Sequence, residues 1–305
     1  MESSSFLRGT IYGIAAASIW GSMYVVSDLV LEVLPPFTLL SLRVLLALLV
    51  LLPLSRRQGH APPPRRTFPS LLTVGLVGIG ISLGAQFIGT DLSTAVNGAL
   101  VTSASPAFVV LFALLILREK LTAANLSSII LATLGVVIIL DPTSVDFSSA
   151  TFIGDVFLAI AAVTWGLYSV LVRRVSTRAN LPALTVTVYA LLGGLLISLP
   201  GSLLELSQRS IGAINFGVVL GVLYLGLICT AFALLLWNRA FVLVPATIAS
   251  LFFFAQPLAG AILATVFLGQ SMTTALWLGG ALIAFAVLLS LRRPVQMTSS
   301  QQAGT

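Results

Sequence analysis

Long apolar runs of similar length recur along this chain, separated by short polar connections. A helix that crosses a bilayer needs about 20 largely apolar residues, whereas each strand of a membrane barrel alternates apolar and polar residues over about 10 positions. The runs lack strict alternation, which favours helices. We predict ten of them, at about 7–30, 35–54, 70–90, 95–116, 122–140, 152–172, 182–200, 212–236, 246–268 and 272–291. The expected fold is an all-α membrane protein with ten transmembrane helices.

Composition excludes a water-soluble globule. Hydrophobic residues make up 58% of the chain and charged residues only 8%, whereas soluble domains carry about 25% charged residues. The net charge of +6 resides mainly in the connections, which indicates membrane topology rather than nucleic-acid binding. We therefore expect the lipid bilayer and a small-molecule substrate as partners, no nucleic acid, and either a monomer or a homodimer.

The basic residues also predict the orientation of the helices. With the N-terminus in the cytoplasm, every Lys and Arg except two falls on the cytoplasmic side, Arg209 lies on the opposite side, and Arg43 lies within the second helix. Cytoplasmic loops of membrane proteins carry such an excess of Lys and Arg. The first apolar run continues past Trp20 without a cleavage site, so we interpret it as a permanent helix rather than a signal peptide. We predict an integral protein of the bacterial cytoplasmic (inner) membrane with both termini in the cytoplasm.

Two segments of the first half recur in the second half. The stretch 15–24, which contains Trp-Gly, is echoed by 160–169, and the stretch 95–121 is echoed by 246–272. Because the repeat unit holds five helices, an odd number, the second copy must enter the membrane from the opposite side. We predict two inverted five-helix repeats, at 1–140 and 141–293, followed by a disordered cytoplasmic tail at 294–305.

Because the two halves are inverted, the expected depths of their residues in the membrane can be compared. Trp20 and Trp165 each lie about 13 residues into their helices, or roughly 20 Å at 1.5 Å per residue, and they enter from opposite faces. Pro106 and Pro257 each lie about 11 residues in, again from opposite faces. All four residues are therefore expected near the bilayer midplane. Matching interruptions of helices in inverted halves indicate the central site of a transporter.

These features resemble the EamA family of the drug/metabolite transporter superfamily over essentially the whole chain. The resemblance rests on the Ala-rich stretch Ala15–Gly21, on Arg43 in the second helix, and on Pro106 followed by Glu119–Thr122. The second half differs, because Gln270 stands where a Glu would align and the seventh helix contains no Arg. The resemblance implies a solute exporter or exchanger of the amino-acid and metabolite class.

Polar and aromatic side chains in the middle of the helices are the candidates for a substrate site, because polar groups are costly in a bilayer and face the interior of a bundle. The polar candidates are Gln86, Asn97, Thr102, Ser103, Ser105, Asn238 and Gln256. We predict substrate contacts for Trp20, Tyr24, Gln86, Asn97, Ser103, Trp165, Tyr168 and Gln256. Helix–helix packing is the alternative role for each of them.

Gates and hinges have their own candidates. Asp28 and Arg43 are expected to form a buried pair that serves as an outer gate, and the alternatives are a structural pair or independent snorkelling. Pro106 and Pro257 are predicted hinges, because each removes a helical hydrogen bond. The carbonyl groups that they free either bind substrate or are satisfied by neighbouring Ser or Thr. Glu119, at a cytoplasmic helix end, is expected in a structural ion pair.

The leading functional hypothesis is a secondary transporter that works by alternating access through a central cavity. Efflux of cationic or aromatic drugs is an alternative, and a non-transporting scaffold or receptor is another. The chain is not expected to be an enzyme or to need a cofactor or metal. Its single His60 lies in a loop, Cys229 is alone, and the sequence contains no paired midplane carboxylates, metal-ligand cluster or phosphate-binding loop.

Overall fold

The computed structural model describes residues 2–60, 62–93, 98, 101–140, 151–268 and 274–291. Every regular element in these ranges is helical, so the all-α prediction is confirmed for this part of the chain. The elements group into ten helical segments, numbered in chain order. They are α1 (Glu2–Gly21 and Met23–Leu31), α2 (Pro36–Arg57), α3 (Arg65–Leu92), α4 (Ser105–Leu117), α5 (Ala123–Leu140), α6 (Phe152–Ala179), α7 (Ala183–Gln208), α8 (Phe216–Leu243), α9 (Ala246–Ala249, Ser250–Phe254 and Ala255–Leu268) and α10 (Thr274–Leu291).

Five of these segments, α2, α3, α6, α7 and α8, are long and apolar enough to cross a membrane. The two pieces of α1 meet the same standard together, although they are bent by 43°. The segments α4, α5, α9 and α10 contain shorter apolar helices of 10–17 residues. The protein is therefore an integral membrane protein.

Several helices extend beyond the predicted runs. The run predicted to end at 200 continues through Pro200 to Gln208, and α2 likewise continues past Pro53 to Arg57. A proline forfeits one backbone hydrogen bond, which a membrane helix tolerates where neighbouring groups satisfy the freed carbonyl. Hydropathy therefore underestimates the full length of these two helices.

Three kinds of irregularity interrupt the helices near the centre of the bundle. The segments Leu76–Ser82 of α3 and Tyr224–Phe232 of α8 are π-helical. The helix α9 changes to a 3-10 helix at Ser250–Phe254, and α1 breaks at Ser22. π-Helical turns inside α-helices are rare and occur frequently at functional sites.

Packing divides the bundle into a large core and a smaller side cluster. In the core, α2 packs on α7, α1 packs on α8 and α9, and α3 packs on α6 and α7. The helices α5 and α10 pack on each other and reach the core through α9. Large apolar side chains remain exposed on the outside, among them Leu49, Leu203 and Phe216. An apolar exterior of this extent is suited to lipid.

Candidate functional site

A cavity lies where α1, α2, α3, α6, α8 and α9 converge with the start of α4. Its apolar lining consists of Trp20, Met23, Leu83, Ala161, Trp165, Leu234 and Phe253. Its polar lining consists of Arg43, Ser82, Gln86, Thr102, Ser105, Cys229, Thr230 and Gln256. The cavity volume is about 30 Å³, which is room for about two waters. The cavity is therefore contracted, and a larger solute requires it to open.

Three tryptophans pack together at the cavity: Trp20 and Trp165 line it, and Trp237 packs against both. The rings of Trp20 and Trp165, which the repeat predicted near one depth, meet edge to face with centroids 5.2 Å apart. The ring of Trp237 lies 5.3 Å from that of Trp20 and 5.8 Å from that of Phe253. The Trp20 indole donates a 2.8 Å hydrogen bond to the carbonyl of Cys229 in the π-helical segment of α8. This bond fixes the Trp20 ring against the cavity.

Arg43 lies in the cavity and is 1% exposed. Its Nε donates to the Thr230 hydroxyl at 3.0 Å, its Nη2 lies 3.5 Å from the Met23 sulfur, and its guanidinium stands 4.9 Å from the centre of the Phe87 ring. The predicted pair with Asp28 is not formed, because Asp28 is exposed. Arg43 therefore belongs to the cavity and not to an outer gate with Asp28.

Three buried polar atoms of the cavity have no hydrogen-bond partner among the residues that the structure describes. They are Nη1 of Arg43, Nε1 of Trp165 and Oε1 of Gln256. The Gln256 amide donates to the Trp20 carbonyl at 3.4 Å, which leaves its oxygen as the free acceptor. A buried donor or acceptor that lacks a partner costs about 1–3 kcal/mol. Three of them around one cavity leave hydrogen bonds that a water molecule or a bound solute can complete.

Close backbone contact holds two of these residues together. A Cβ on Gly21 would lie 2.6 Å from the carbonyl oxygen of Gln256 and 2.8 Å from the amide nitrogen of Gly260. Only glycine permits this approach of α1 to α9. The Trp-Gly pair therefore places the indole in the cavity and lets the other helix come close enough to present Gln256.

The predicted hinge prolines lie beside the cavity and do not line it. Pro106 is in the first turn of α4, and Pro257 is in the first turn of the last piece of α9. The Thr102 carbonyl accepts a 2.7 Å hydrogen bond from the Ser105 hydroxyl. Pro106 has no N–H group to donate to this carbonyl, which lies four residues before it. The neighbouring Ser105 satisfies the carbonyl instead, which was the alternative to substrate binding.

The remaining predicted contacts have different fates. Tyr168 is fully buried behind Trp165, and its hydroxyl donates to Asn238 at 3.0 Å, so it packs the helices and does not reach the cavity. Ser103 is half-buried outside the cavity lining. Asn97 and the side chain of Tyr24 lie outside the described residues. Of the eight predicted contacts, Trp20, Gln86, Trp165 and Gln256 line the cavity.

Sequence reasoning missed part of the lining. Cys229 was considered only as a lone cysteine, and Thr230 and Ser82 were not selected. Each lies in or at the end of a π-helical segment, which hydropathy does not reveal. Trp237, which does not line the cavity but packs against Trp20 and Phe253, was also missed because the repeat motif of the second half contains only Trp165. The chain has only four tryptophans, so each of them could have been considered.

Two carboxylates clip helix ends at opposite faces of the bundle. Glu119 accepts hydrogen bonds from the backbone N–H groups of Ala246 and Thr247, both at 2.9 Å, and it pairs with Arg173 at 3.3 Å. The expected ion pair of Glu119 is thus with α6 rather than with its neighbours in sequence. We call this set the Glu119 clip. Arg173 also donates to the carbonyl groups of Phe241 and Val244 at 2.8 and 2.6 Å.

The second clip, the Glu205 clip, joins α7 to α2. Glu205 accepts hydrogen bonds from the backbone N–H groups of Phe37 and Thr38, both at 2.9 Å. Carboxylates at helix N-termini are stabilised by the free N–H groups and the helix dipole. The Glu119 clip lies near the start of α7, whereas Glu205 lies about 33 Å further along that helix at 1.5 Å per residue. The cavity lies between the two clips.

Comparison with known proteins places the chain among transporters. The model of the EamA-like transporter family matches the chain twice, over residues 7–141 and 152–292. An uncharacterized transporter of Archaeoglobus fulgidus is 26% identical over 280 residues, which cover 91% of this chain and 95% of the relative. A probable biotin transporter of Pseudomonas aeruginosa is 30% identical over 202 residues, covering 65% and 67%. A protein of known crystal structure, 21% identical, has the same fold with a TM-score of 0.77 over 93% of this chain and 99% of its own.

Proposed function

Because the chain belongs to the EamA-like transporter family, we propose that it is a secondary transporter that exports or exchanges amino acids or related small metabolites across the bacterial inner membrane. The observation that carries this proposal is the central cavity, where three buried polar atoms lack partners among the described residues. Trp20, Gln86, Trp165 and Gln256 are the proposed substrate contacts.

The proposed architecture is ten membrane-spanning helices in two inverted halves, 1–140 and 141–293, with both termini in the cytoplasm. The twofold match of the family model supports two halves. So do the paired irregularities, since π-helical segments occur in both α3 and α8. The distribution of Lys and Arg supports the orientation, and it assigns the Glu119 clip to the cytoplasmic face.

The two clips support a mechanism of alternating access. An open path from one face to the cavity requires the helix ends at that face to separate, and each clip opposes that separation at its own face. With both clips formed, the cavity is small. Breaking the Glu119 clip opens the cytoplasmic side, and breaking the Glu205 clip opens the outer side. The transport cycle exchanges these two states.

Counterflow in proteoliposomes tests the transport function. Vesicles with the purified protein are loaded in turn with an unlabelled solute from a broad panel of amino acids and small metabolites, and uptake of the labelled solute is measured. We expect saturable, protein-dependent uptake of at least one solute. If no solute of the panel moves under any gradient, the transporter proposal is wrong.

Matched variants separate the site from the scaffold. Trp20→Ala and Gln256→Ala are expected to lower transport more than they lower the amount of folded protein. Trp277→Ala is the control, because Trp277 is 66% exposed on α10, far from the cavity lining. Equal loss of protein and transport in the cavity variants would instead favour a packing role.

A specific second candidate for the cargo is biotin, which the name of the relative from Pseudomonas aeruginosa suggests. Labelled biotin therefore belongs in the panel. Efflux of cationic drugs is less favoured, because no acidic side chain lines the cavity within the described residues. A fixed carboxylate is the usual partner of a buried cation.

A further inference from the structure

Arg43 is the one cationic side chain among the described residues that line the cavity, and no carboxylate lines it. The guanidinium is held by a hydroxyl, a thioether and an aromatic face. These groups orient it but do not neutralise it. A buried cation that lacks a counter-ion is costly, so a site of this kind favours an anion.

The acidic side chains that the structure describes are engaged elsewhere or exposed. Glu119 and Asp91 form ion pairs with other arginines. Glu205 and Asp155 accept hydrogen bonds from residues elsewhere in the chain. Asp28 and Glu32 are exposed. None of them lines the cavity. None of the described acidic side chains is therefore the counter-ion of Arg43.

We propose that this counter-ion is the carboxylate of the transported solute, bound by Arg43. The proposal rests on the transport function proposed above and adds the chemical class of the cargo. Nη1 of Arg43 is the buried donor that lacks a partner among the described residues. A guanidinium N–H donating to a carboxylate oxygen forms a charge-assisted hydrogen bond, one of the stronger kinds in proteins.

A second atom without a partner and two aromatic rings indicate the other groups of the solute. Oε1 of Gln256 is an acceptor, so the solute carries an N–H or O–H donor in addition to its carboxylate. The rings of Trp20 and Phe253 provide apolar contact for the body of the solute. The cargo class is thus a small carboxylate with a hydrogen-bond donor and an apolar group, and the site binds the corresponding cations and neutral amides more weakly.

Matched ligand pairs test this class without measuring transport. Cys229 lines the cavity and is the single cysteine of the chain, so protection of its thiol from a methanethiosulfonate reagent reports binding. The probes are leucine and leucinamide, phenylalanine and phenylalaninamide, and N-acetylleucine and N-acetylleucinamide. In each pair the apolar body and the N–H donor are kept while the carboxylate is replaced.

We expect carboxylates to protect Cys229 at concentrations about 10- to 100-fold lower than the matching amides, as one charge-assisted hydrogen bond provides. Amides that protect as well as the carboxylates, or a panel in which no carboxylate protects, would overturn the assignment. Solutes that move in counterflow without any preference for carboxylates would overturn it too, while leaving the transport function intact. Protection by carboxylates without movement of any solute would overturn the transport function alone.

Variants of Arg43 test whether this residue causes the preference for carboxylates over amides. Arg43→Gln is expected to reduce the carboxylate preference to about twofold or less, since the charge that strengthens the hydrogen bond is lost. Arg43→Lys is expected to keep part of the preference, because the charge remains. Arg209→Gln is the matched control, since Arg209 is exposed at the edge of the bundle. A preference that persists in Arg43→Gln would contradict the role of Arg43, and the comparison of ligand pairs in the unmodified protein stands whether or not this variant folds.

Discussion

Replacing Glu119 with Gln is expected to open the cavity at one face of the bundle only. The carboxylate joins the end of α4 to the start of α9 through two backbone hydrogen bonds of 2.9 Å, and it pairs with Arg173 of α6. Gln keeps one acceptor oxygen and loses the negative charge. The Gln side chain therefore retains a single neutral hydrogen bond. Arg173 loses its ion pair and keeps only its hydrogen bonds to backbone carbonyl groups at the end of α8.

The size of the effect follows from these contacts. Glu119 is 9% exposed, so its interactions are only weakly screened by water. The loss of one charge-assisted hydrogen bond and of the ion pair amounts to about 2–3 kcal/mol. If that free energy stabilises the closed state relative to the state open at this face, the open population rises about 30- to 150-fold.

Cys229 provides the assay. Its side chain lines the cavity and is 1% exposed, so a membrane-impermeant thiol reagent reaches it only when one face opens. The rate of modification is measured with the reagent added from either side of oriented membrane vesicles. Glu119→Gln is expected to raise the rate about 30- to 150-fold from the face of the Glu119 clip, which we propose to be cytoplasmic, and not from the other face.

Glu205→Gln is the matched variant at the opposite face. Glu205 also accepts two backbone hydrogen bonds but lacks an arginine partner among the described residues. Glu205→Gln is therefore expected to raise the rate of Cys229 modification from the outer face, by a smaller factor than Glu119→Gln raises it from the opposite face. The reasoning is refuted if both variants expose Cys229 to the same face, or if Glu119→Gln leaves both rates unchanged while the protein remains folded.

Three further substitutions have definite outcomes. Tyr168→Phe removes the donor to Asn238 and is expected to cost about 1–3 kcal/mol; the Tm of the purified protein falls, and a changed KM for the solute would contradict a packing role. Trp237→Ala removes a side chain that is 1% exposed and is expected to cost about 3–5 kcal/mol, measured as a lower Tm in detergent. Gly21→Val forces α1 away from Gln256, and counterflow is expected to fall to background while membrane insertion, measured by protein abundance, persists.

The helices themselves could be predicted from the sequence because the requirement that creates them is local. A chain in hydrocarbon must satisfy its backbone groups within each helix, so about 20 apolar residues are enough to specify one. Ser55–Pro69 and other polar connections then mark the ends approximately. The extensions of α7 and α2 past Pro200 and Pro53 were missed, since they depend on contacts with neighbouring helices.

The relative level of two side chains along the bundle was also predictable, whereas the direction in which a side chain points around its helix was not. The repeat placed Trp20 and Trp165 at one level, and their rings are 5.2 Å apart. The expected pair of Arg43 with Asp28 rested instead on both being ionisable residues within helices and on the long side chain of Arg43. The structure turns Arg43 toward Thr230 of α8 instead, because rotation of each helix about its axis is decided by packing.

The sequence alone determined that this is a helical membrane protein with a duplicated pattern, and its resemblance to the EamA family already implied a transporter. Only the tertiary structure decided what meets at the centre and at the ends. Trp20 and Cys229 are 209 residues apart, and Glu119 and Ala246 are 127 apart. Such contacts depend on how whole helices pack, and on a π-helical segment that shifts Cys229 and Thr230 into the cavity. Apolar side chains lie on every side of such a helix, so hydropathy alone carries little information about which side faces the cavity.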